Sequence, residues 1–327
     1  MLSSFSPTSS SNRLPIYDCQ LTIENRKSKI VNIQLVVLAL AIFVAGCVST
    51  ESHFKIDISK GANPWTHLNL CNNPNEFQFA IVADRTGGHR AGVFEDAIKK
   101  LNRLRPEFVI SVGDFIEGYT DDEAKLDQQW DEFNTFANKL EMPFFYVPGN
   151  HDIGNEMTAK KWQQQFGPTY YHFVYRDVLF LCLNTGGSSE GWISNQQLEY
   201  FRDVIARNTN VRWTLVFMHQ PAWIGPASES WRKFESLLGD RPYTVFAGHQ
   251  HRYTKLQRQD GLYYVLSMTG GLGGDNGKPS GLSRCQFDHI VWVTMTKEGP
   301  VITNLLLEGI LDDDPCPAKN SKLKTQN

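Results

Sequence analysis

The chain has 327 residues, of which 41% are hydrophobic and 12% aromatic, a composition that excludes disordered and collagen-like classes and predicts a globular protein. Its 32 basic and 35 acidic residues leave a net charge of −3, which argues against binding to extended nucleic acid through its phosphates. Six cysteines without a Cys-x-x-Cys pair exclude a disulfide scaffold and a zinc–cysteine site.

The first element along the chain is an apolar run, LVVLALAIFVAG, at residues 35–46, which follows three basic residues. Such a run is typical of a signal peptide and is shorter than the about 20 apolar residues that span a bilayer. It continues into Cys47, and this VAGC ending resembles the lipobox of bacterial lipoproteins, whose cysteine is lipidated and becomes the new N-terminus. We therefore expect residues 1–46 to be removed and Cys47 to be lipidated. The lipid would anchor the protein to a membrane of the bacterial cell envelope, on its periplasmic or outer surface.

Cleavage before Cys47 would remove four basic and two acidic residues and lower the net charge from −3 to −5. Plain secretion and a short membrane anchor are the alternatives to the lipoprotein interpretation. Residues 47–76 are polar and interrupted by glycine and proline, so we expect them to form a tether and a loop that leads into the core.

Ten apolar runs of strand length follow, from FQFAIVA at 77–83 to VITNLLL at 301–307. Stretches with the period of a helix lie between the earlier runs, at 93–104, 121–139, 158–166 and 196–207. This alternation predicts an α/β fold, and the strand-rich final third predicts a second, more antiparallel sheet. We expect one domain over residues 77–310 and a loose polar tail over 311–327.

Five of the apolar runs end in side chains that bind metals or move protons. These are Asp84, Asp114, Asn150, His219 and His249, the last with His251 two residues on. Ligands bind at the carboxyl ends of strands in α/β sheets. A single Asp or His in such a place is more often a turn, cap or core residue, but five together favour one shared site.

The ligand types indicate which metals the site would take. Two carboxylates, one amide oxygen and three imidazoles, without a thiolate, suit Mn, Fe, Zn or Mg. Six ligands exceed what one catalytic ion with an open position needs. They suit two divalent ions about 3.5 to 4 Å apart with one carboxylate bridging them.

The order of the short motifs carries a family resemblance. After the strand that ends in Asp84 come GDFIEG (113–118), GNHD (149–152), His219 at the end of a strand, and GHQH (248–251). In this order they resemble the calcineurin-like metallophosphoesterases over residues 77–307. The resemblance implies a four-layer α/β/β/α sandwich with two facing mixed β-sheets. It also implies a metal-dependent phosphoesterase that hydrolyses phosphate esters with a hydroxide activated by two metal ions.

The resemblance also assigns roles to individual residues. Asp84 and His251 would hold the first ion, Asn150, His219 and His249 the second, and Asp114 would bridge both. His151 would face the phosphate, where it stabilises charge or protonates the leaving oxygen, and Asp152 would help to orient it. The substrate would be a phosphorylated small molecule, lipid or protein, as a monoester or a diester.

The first motif departs from the family pattern. The family usually has Asp-x-His, whereas this chain has Asp84 followed by Arg85 and Thr86, so an imidazole of the first ion is missing. His89 is either a substitute ligand or a solvated loop residue, and Arg85 is either a clamp for a phosphate oxygen or solvated. The related purple acid phosphatases also lack this histidine, but they have a tyrosine where this chain has Glu117.

Two further alternatives follow from these motifs. The missing imidazole allows a metal-binding surface lipoprotein with little turnover, against which the presence of His151 argues. Phe115, Trp223 and Tyr253 lie near the ligands in sequence and either stack on a base or an aryl group or belong to the core. The glycine-rich segment TGGLGG at 269–274 is expected to approach the metal loop closely.

Overall fold

The computed structural model of the chain describes residues 73–187, 192–258, 261–274 and 276–311. The signal sequence, Cys47 and most of the expected tether lie outside these residues, as does the tail from residue 312 on. The expected boundaries at residues 46, 76 and 310 therefore stay predictions.

All ten apolar runs lie in strands. The strands are β1 (Phe77–Val82), β2 (Val109–Ser111), β3 (Phe144–Phe145), β4 (Tyr171–Tyr175), β5 (Val178–Cys182), β6 (Trp213–Phe217), β7 (Tyr243–Ala247), β8 (Thr254–Arg258), β9 (Gly261–Val265), β10 (His289–Thr296), β11 (Gly299–Leu306) and β12 (Gly309–Leu311). Two of them, β8 and β12, were not predicted. The sequence of β8, TKLQR, is mostly polar because the strand lies at a sheet edge, and β12 has only three residues.

The four predicted helices are present with small differences at their ends. The helices are α1 (Val93–Leu104), α2 (Glu123–Ala137), α3 (Asn150–Ile153), α4 (Glu156–Phe166), α5 (Asn195–Arg207) and α6 (Ser228–Leu238). The single-turn α3 and the longer α6 were not predicted. Helix α6 follows Ala227, which has no side-chain cap, so the usual sequence signal of a helix start is absent there.

The strands form two six-stranded mixed sheets. The first has the order β12-β11-β10-β1-β2-β3 and the second the order β4-β5-β6-β7-β9-β8. The prediction that the final third of the chain forms the second sheet is wrong. Strand β10 pairs antiparallel with β1, so the C-terminal strands extend the first sheet, while β7, β8 and β9 join the second. Because the paired strands lie so far apart in the chain, the sequence of neither strand indicates its partner.

The two sheets bury one apolar face against each other. Alternate residues of β1, Phe77 and Phe79, point inward and meet Phe180 of β5 and Phe217 of β6 in one buried cluster. The rings of Phe79 and Phe180 lie 5.5 Å apart in an edge-to-face arrangement. This period of two places every second strand residue in the core between the sheets.

Helices cover the outer faces of both sheets. Ala80 and Val82 of β1 face outward and pack with Phe94 and Trp130 of α1 and α2. On the other side, outward residues of β5 pack with α5 and α6, for example Leu179 in the cluster that holds Phe201 and Trp231. The result is a four-layer α/β/β/α sandwich, as the motifs predicted.

Two cysteines lie within the described residues, and they differ in state. Cys182 is buried as a free thiol in the inter-sheet core, and Cys285 is disulfide-bonded, although the sequence analysis assigned no bridge. Among the described residues, no helix is both long enough and apolar enough to cross a bilayer.

A buried histidine links the last strands to the second sheet. Nδ1 of His289 lies 2.7 Å from Oδ1 of Asn304, and its Nε2 accepts a hydrogen bond from the backbone N–H of Ser267 at 3.1 Å. The ring is therefore neutral with its proton on Nδ1. Complete burial lowers the pKa of His289 to about 4, although the contact with Asn304 raises it.

We predict that His289 makes the protein less stable as the pH falls from 6.5 to 4. In that window the unfolded chain binds a proton at this residue and the folded chain does not, so the free energy of unfolding decreases by about 3 kcal/mol. Urea unfolding across the window should show a shallower decrease in His289→Gln. The control is His172→Gln, at a half-buried histidine, and an equal change of slope in the control would contradict the prediction.

Candidate metal centre

The two sheets bring their carboxyl-terminal strand ends to one edge. Asp84 and Asp114 follow the parallel neighbours β1 and β2, and His219 and His249 follow the parallel neighbours β6 and β7. The backbone N–H of His249 donates to Oδ1 of Asp84 at 2.7 Å, and Nδ1 of His219 donates to the carbonyl of Val112 at 2.8 Å. These two bonds join the sheets directly beneath the predicted ligands.

Five of the six predicted ligands form two overlapping groups. In the described part of the chain, Asp114, His219 and His249 form one candidate cation site, and Asp84, Asp114 and His251 form the other. Within each group the ligand atoms all lie within 4.8 Å of one another. Asp114 is common to both groups, which is the arrangement that a bridging carboxylate requires.

The charges of the two groups are those of a cation site. Two carboxylates, Asp84 and Asp114, are almost fully buried within 3.4 Å and 3.1 Å of Nε2 of His251 and His219, respectively. Burial lowers the pKa of both histidines, but their contacts with the carboxylates outweigh it and raise each pKa to about 9. The carboxylates thus hold protons on both rings, and a divalent cation would displace those protons.

Unsatisfied polar atoms point to the same conclusion. Among the described residues, Oδ2 of Asp84 is buried without a hydrogen-bond partner, and Nε2 of His219 has no hydrogen bond of good geometry although it lies 3.1 Å from Oδ2 of Asp114. Buried polar atoms are nearly always satisfied, so these two atoms fit ligands of an ion. Partial desolvation and the charge of His219 lower the pKa of His249, which favours the neutral form that binds metals.

Four of the predicted ligands have strained backbones. Asp84, Asp114, His249 and His251 have φ angles of 43°, 61°, 72° and 46°, in the left-handed region that residues other than glycine rarely adopt. Each such residue costs on the order of 1 to 3 kcal/mol and persists only where the surrounding structure enforces it. The fold is thus less stable than it would be without this strain, and the strained backbones turn these side chains toward one point.

Glycines next to the ligands allow the loops to meet. A Cβ atom on Gly149 would lie 2.1 Å from Oδ1 of Asp114, and one on Gly248 would lie 2.3 Å from Oδ2 of Asp84. The expected close approach of the TGGLGG segment is confirmed, because the N–H of Gly271 donates to the carbonyl of Asp84 at 2.9 Å. No side chain would fit at these positions without moving a ligand.

Asn150 is held differently from the other predicted ligands. It begins α3, and its Oδ1 accepts a hydrogen bond from Nε2 of Gln220 at 3.3 Å, while its Nδ2 donates to the hydroxyl of Tyr119 at 2.9 Å. Gln220 follows His219 directly, so the same strand end supplies one predicted ligand and orients another. The sequence analysis assigned no site role to Gln220 or Tyr119.

His151 lies over the bridging position. Its Nδ1 donates to the carbonyl of Glu117 at 2.7 Å, which leaves Nε2 4.0 Å from Oδ2 of Asp114. Gly87 is close by, because a Cβ atom there would lie 3.7 Å from Nε2 of His151 and 3.1 Å from Cε1 of His251. The Nε2 edge of this ring is therefore the part that can meet a substrate.

Asp152 has a different role from the one expected. Its carboxylate accepts hydrogen bonds from the backbone N–H groups of Asp114, Phe115 and Gly149 at 2.8 to 2.9 Å. Burial and the charge of Asp114 raise the pKa of Asp152 to about 7. The His151 ring is oriented instead by the carbonyl of Glu117, and Asp152 ties the loop after β2 to the loop before α3.

The side chain of Arg85 is engaged with other protein groups. Its side chain is 6% exposed, donates to the carbonyl of Phe115 at 2.8 Å and pairs with Glu132. The guanidinium also lies 5.4 Å from the ring centroid of Phe136. Arg85 therefore points toward α2, away from the ligands, and belongs to the packing of the first sheet.

His89, the candidate substitute for the missing imidazole, contacts Glu117 in the structure. The hydroxyl of Thr86 is buried without a hydrogen-bond partner of good geometry, and His89 belongs to neither candidate group within the described residues. The carboxylate of Glu117 accepts hydrogen bonds from the backbone of Gly88 and His89 and contacts the His89 ring at 3.1 Å.

Glu117 is thus a site residue that the sequence analysis missed. Burial raises the pKa of Glu117, but hydrogen bonds from this loop outweigh it and lower the pKa to about 2. Its charged carboxylate holds the loop of residues 86–89 while its carbonyl orients His151. The only sequence signal was its place inside the GDFIEG motif.

Comparisons with known proteins agree with this geometry. The sequence model of the calcineurin-like phosphoesterase family matches residues 66–253. A serine/threonine-protein phosphatase of Mus musculus, CPPED1, is 27% identical over 210 residues, covering 55% of this chain and 64% of that protein. Human tartrate-resistant acid phosphatase type 5 is 26% identical over 208 residues, covering 51% and 62%. The chain thus spans just under two thirds of the length of these relatives.

A solved structure resembles the fold. The crystal structure of a dimetal phosphatase from Danio rerio superposes with a TM-score of 0.53 at 14% sequence identity. The match covers 72% of this chain and 98% of that one. At this identity the likeness concerns the fold, which in both chains is the α/β sandwich.

We predict that Gly118→Ala disrupts the site much more than Gly225→Ala does. Both glycines have left-handed φ angles, 56° and 63°, so both substitutions carry a similar backbone strain of about 1 to 2 kcal/mol. A Cβ atom on Gly118 would lie 1.7 Å from the carbonyl oxygen of His151, whereas Gly225 has no atom within 4 Å. In urea unfolding, Gly118→Ala should lose about 1 to 3 kcal/mol more than the control. Equal losses would show that the loop moves aside at no cost.

Proposed function

The chain belongs to the calcineurin-like phosphoesterase family, and on that premise we propose that it is a metal-dependent hydrolase of phosphate esters. The observation that carries the proposal is the pair of buried carboxylates that share three imidazoles at one sheet edge, with Asp114 common to both groups. Phosphatase relatives over half of the chain support the same reaction class.

The proposed site holds two divalent ions of Mn, Fe, Zn or Mg. Asp84 and His251 would hold the first ion, with Asp114 shared, and Asn150, His219 and His249 would complete the second. When bound, the ions lower the pKa of a water molecule and neutralise charge on the phosphoryl oxygens. The first site has fewer protein ligands because Thr86 stands where the family usually has histidine, so we expect it to bind its ion more weakly.

His151 is proposed as the general acid of the reaction. Its Nδ1 proton is committed to the carbonyl of Glu117, so Nε2 is the nitrogen that can present a proton beside Asp114. There it can protonate the oxygen that leaves phosphorus, while Asp152 keeps the loops of Asp114 and Gly149 together. This positioned histidine favours an enzyme over the alternative of a metal-binding lipoprotein with little turnover.

The substrate is proposed to be a phosphorylated small molecule, lipid or protein, with no extended nucleic acid as partner. Monoesters and diesters both suit the site. We further propose that the protein is exported and held on a membrane through a lipidated Cys47.

Two substitutions test the enzymatic proposal. His151→Asn should lower kcat by about 10²- to 10⁴-fold with metal content unchanged, because it removes only the proton donor.

Asp114→Asn should lose activity and at least one ion, because it removes the shared ligand. The assays are hydrolysis of p-nitrophenyl phosphate and bis-p-nitrophenyl phosphate with Mn, Fe, Zn and Mg, and metal analysis after dialysis. Wild-type turnover in Asp114→Asn would rule out the two-ion mechanism.

A separate experiment tests the anchor. Protein expressed with its native N-terminus in a bacterial host should have lost residues 1–46 and carry acyl chains on Cys47, so it should partition into detergent. Cys47→Ser should keep the signal segment and lose the lipid mass. Intact-mass analysis that finds an unmodified Cys47 with residues 35–46 still attached would contradict the proposal.

A further inference from the structure

One aromatic residue beside the candidate metal centre is fixed in place and yet exposed. Tyr119 is 58% exposed, although its hydroxyl accepts a hydrogen bond from Asn150 and its ring meets the edge of His151 at a centroid distance of 4.9 Å. Gly154 makes room for it, since a Cβ atom there would lie 2.8 Å from Cε1 of Tyr119. The contacts hold one side of the ring and leave the rest to solvent.

The backbone of Tyr119 is strained as well. Its φ angle is 44°, in the left-handed region, where a bulky side chain is an outlier. Backbone strain of this kind is found mainly at binding and catalytic positions. At other positions, a residue that relieves the strain would make the protein more stable. Neither burial nor core packing explains the conformation of Tyr119.

Three other aromatic residues that lie near the ligands in sequence are not available to a substrate. Phe115, Trp223 and Tyr253 were candidates for stacking on a base or an aryl group, but each is at most 4% exposed. Phe115 packs among the rings of α2 and α4, and Trp223 packs on α6. Tyr119 is the aromatic residue beside His151 that offers a free surface.

Contacts place several residues in order beside the candidate metal centre. Leu272 lies at one end, where its carbonyl contacts Nδ1 of His251 at 2.8 Å and its side chain is 49% exposed. Gly87 lies between His251 and His151, and Tyr119 stands beyond His151. An exposed side chain thus stands next to each of the two imidazoles. Leu272 lies beside His251, and Tyr119 lies beside His151.

The arginines of the neighbouring loop point elsewhere. Arg85 pairs with Glu132, and both terminal nitrogens of Arg90 pair with the carboxylate of Asp288. Neither is free to bind a phosphate oxygen. These two arginines therefore leave the group esterified to phosphorus as the part of a substrate whose recognition we consider next.

We propose that Tyr119 is a specificity-determining residue that stacks on an aromatic leaving group, so that the substrate class is aryl phosphate esters, with the phosphotyrosine side chain as the biological form. This inference rests on the proposed function of the same site. His151 faces the leaving oxygen, and in an aryl ester the ring is bonded directly to that oxygen. The ring therefore comes to lie beside Tyr119, next to His151.

The position of Tyr119 separates aryl esters from nucleotides. In a nucleoside 5′-phosphate the sugar stands between the leaving oxygen and the base, so the base would extend past Tyr119. Alkyl esters such as phosphoserine present no ring at all. The geometry consequently favours the ester whose aromatic ring begins at the leaving oxygen.

The test compares Tyr119→Ala with Tyr119→Phe. Both variants keep a Cβ atom, so the backbone strain is unchanged, and Phe keeps the ring while it removes the hydroxyl that binds Asn150. The measurement is kcat/KM for phenyl phosphate and phosphotyrosine relative to phosphoserine and glycerol 2-phosphate, with Mn added. We expect the preference for aryl over alkyl esters to fall about tenfold in Tyr119→Ala and to stay within about twofold of wild type in Tyr119→Phe.

Each other result overturns the proposal. Equal losses on aryl and alkyl esters in Tyr119→Ala would mean that Tyr119 merely supports Asn150 and His151. An unchanged preference would mean that no stacking occurs. Adenosine 5′-monophosphate is assayed in parallel, and a loss confined to it would make the site a nucleotide site. Circular dichroism and thermal unfolding establish that both variants are folded before the comparison is made.

A binding experiment keeps this inference separate from the proposed function. Benzylphosphonate carries a CH2 group where phenyl phosphate has its leaving oxygen, it differs from methylphosphonate only in the aromatic ring, and neither phosphonate is hydrolysed. Calorimetry with the Mn-loaded protein should show benzylphosphonate binding about tenfold more tightly than methylphosphonate, and Tyr119→Ala should remove that difference. If wild type hydrolyses no ester yet shows this difference, the proposed function fails and the inference about Tyr119 stands. Equal binding of the two phosphonates by wild type overturns the inference.

Discussion

The burial of two carboxylates at the junction of the sheets is the constraint on which the rest of the site depends. Asp84 and Asp114 are 0% and 2% exposed, and a buried charge is tolerated only with compensation. The protein compensates each one with an imidazole, His251 or His219, whose pKa rises as a result. A divalent cation offers a stronger compensation, and this makes the same atoms suitable as ligands.

Holding these charges together requires local strain, and the surrounding loops bear it. Left-handed backbones at Asp84, Asp114, His249 and His251 turn the side chains inward, and glycines such as Gly149 and Gly248 let the chain pass closely behind them. The rigid inter-sheet core supplies the stability that this strain consumes. The site is therefore built at the point where two well-packed sheets meet, and not on a single loop.

The segment from Asp114 to Tyr119 combines several tasks. It supplies the shared carboxylate, it orients His151 through the carbonyl of Glu117, and it holds the loop of residues 86–89 through the Glu117 carboxylate. Tyr119 closes the segment with a fixed, exposed ring. All of these tasks therefore depend on one short segment of the chain.

The sequence alone determined the strands of the inter-sheet core and the positions of the predicted ligands. Apolar runs such as that of β1 and the polar residues that end them are local patterns, because a buried strand needs apolar side chains and its carboxyl end is where a polar one can emerge. The tertiary structure alone decided that β10 pairs with β1, that Asp152 binds backbone N–H groups, and that Arg85 points toward Glu132. It also decided that Tyr119 is exposed while Phe115 is buried. Each of these depends on a contact between segments distant in the chain, and no residue pattern within one segment encodes its partner.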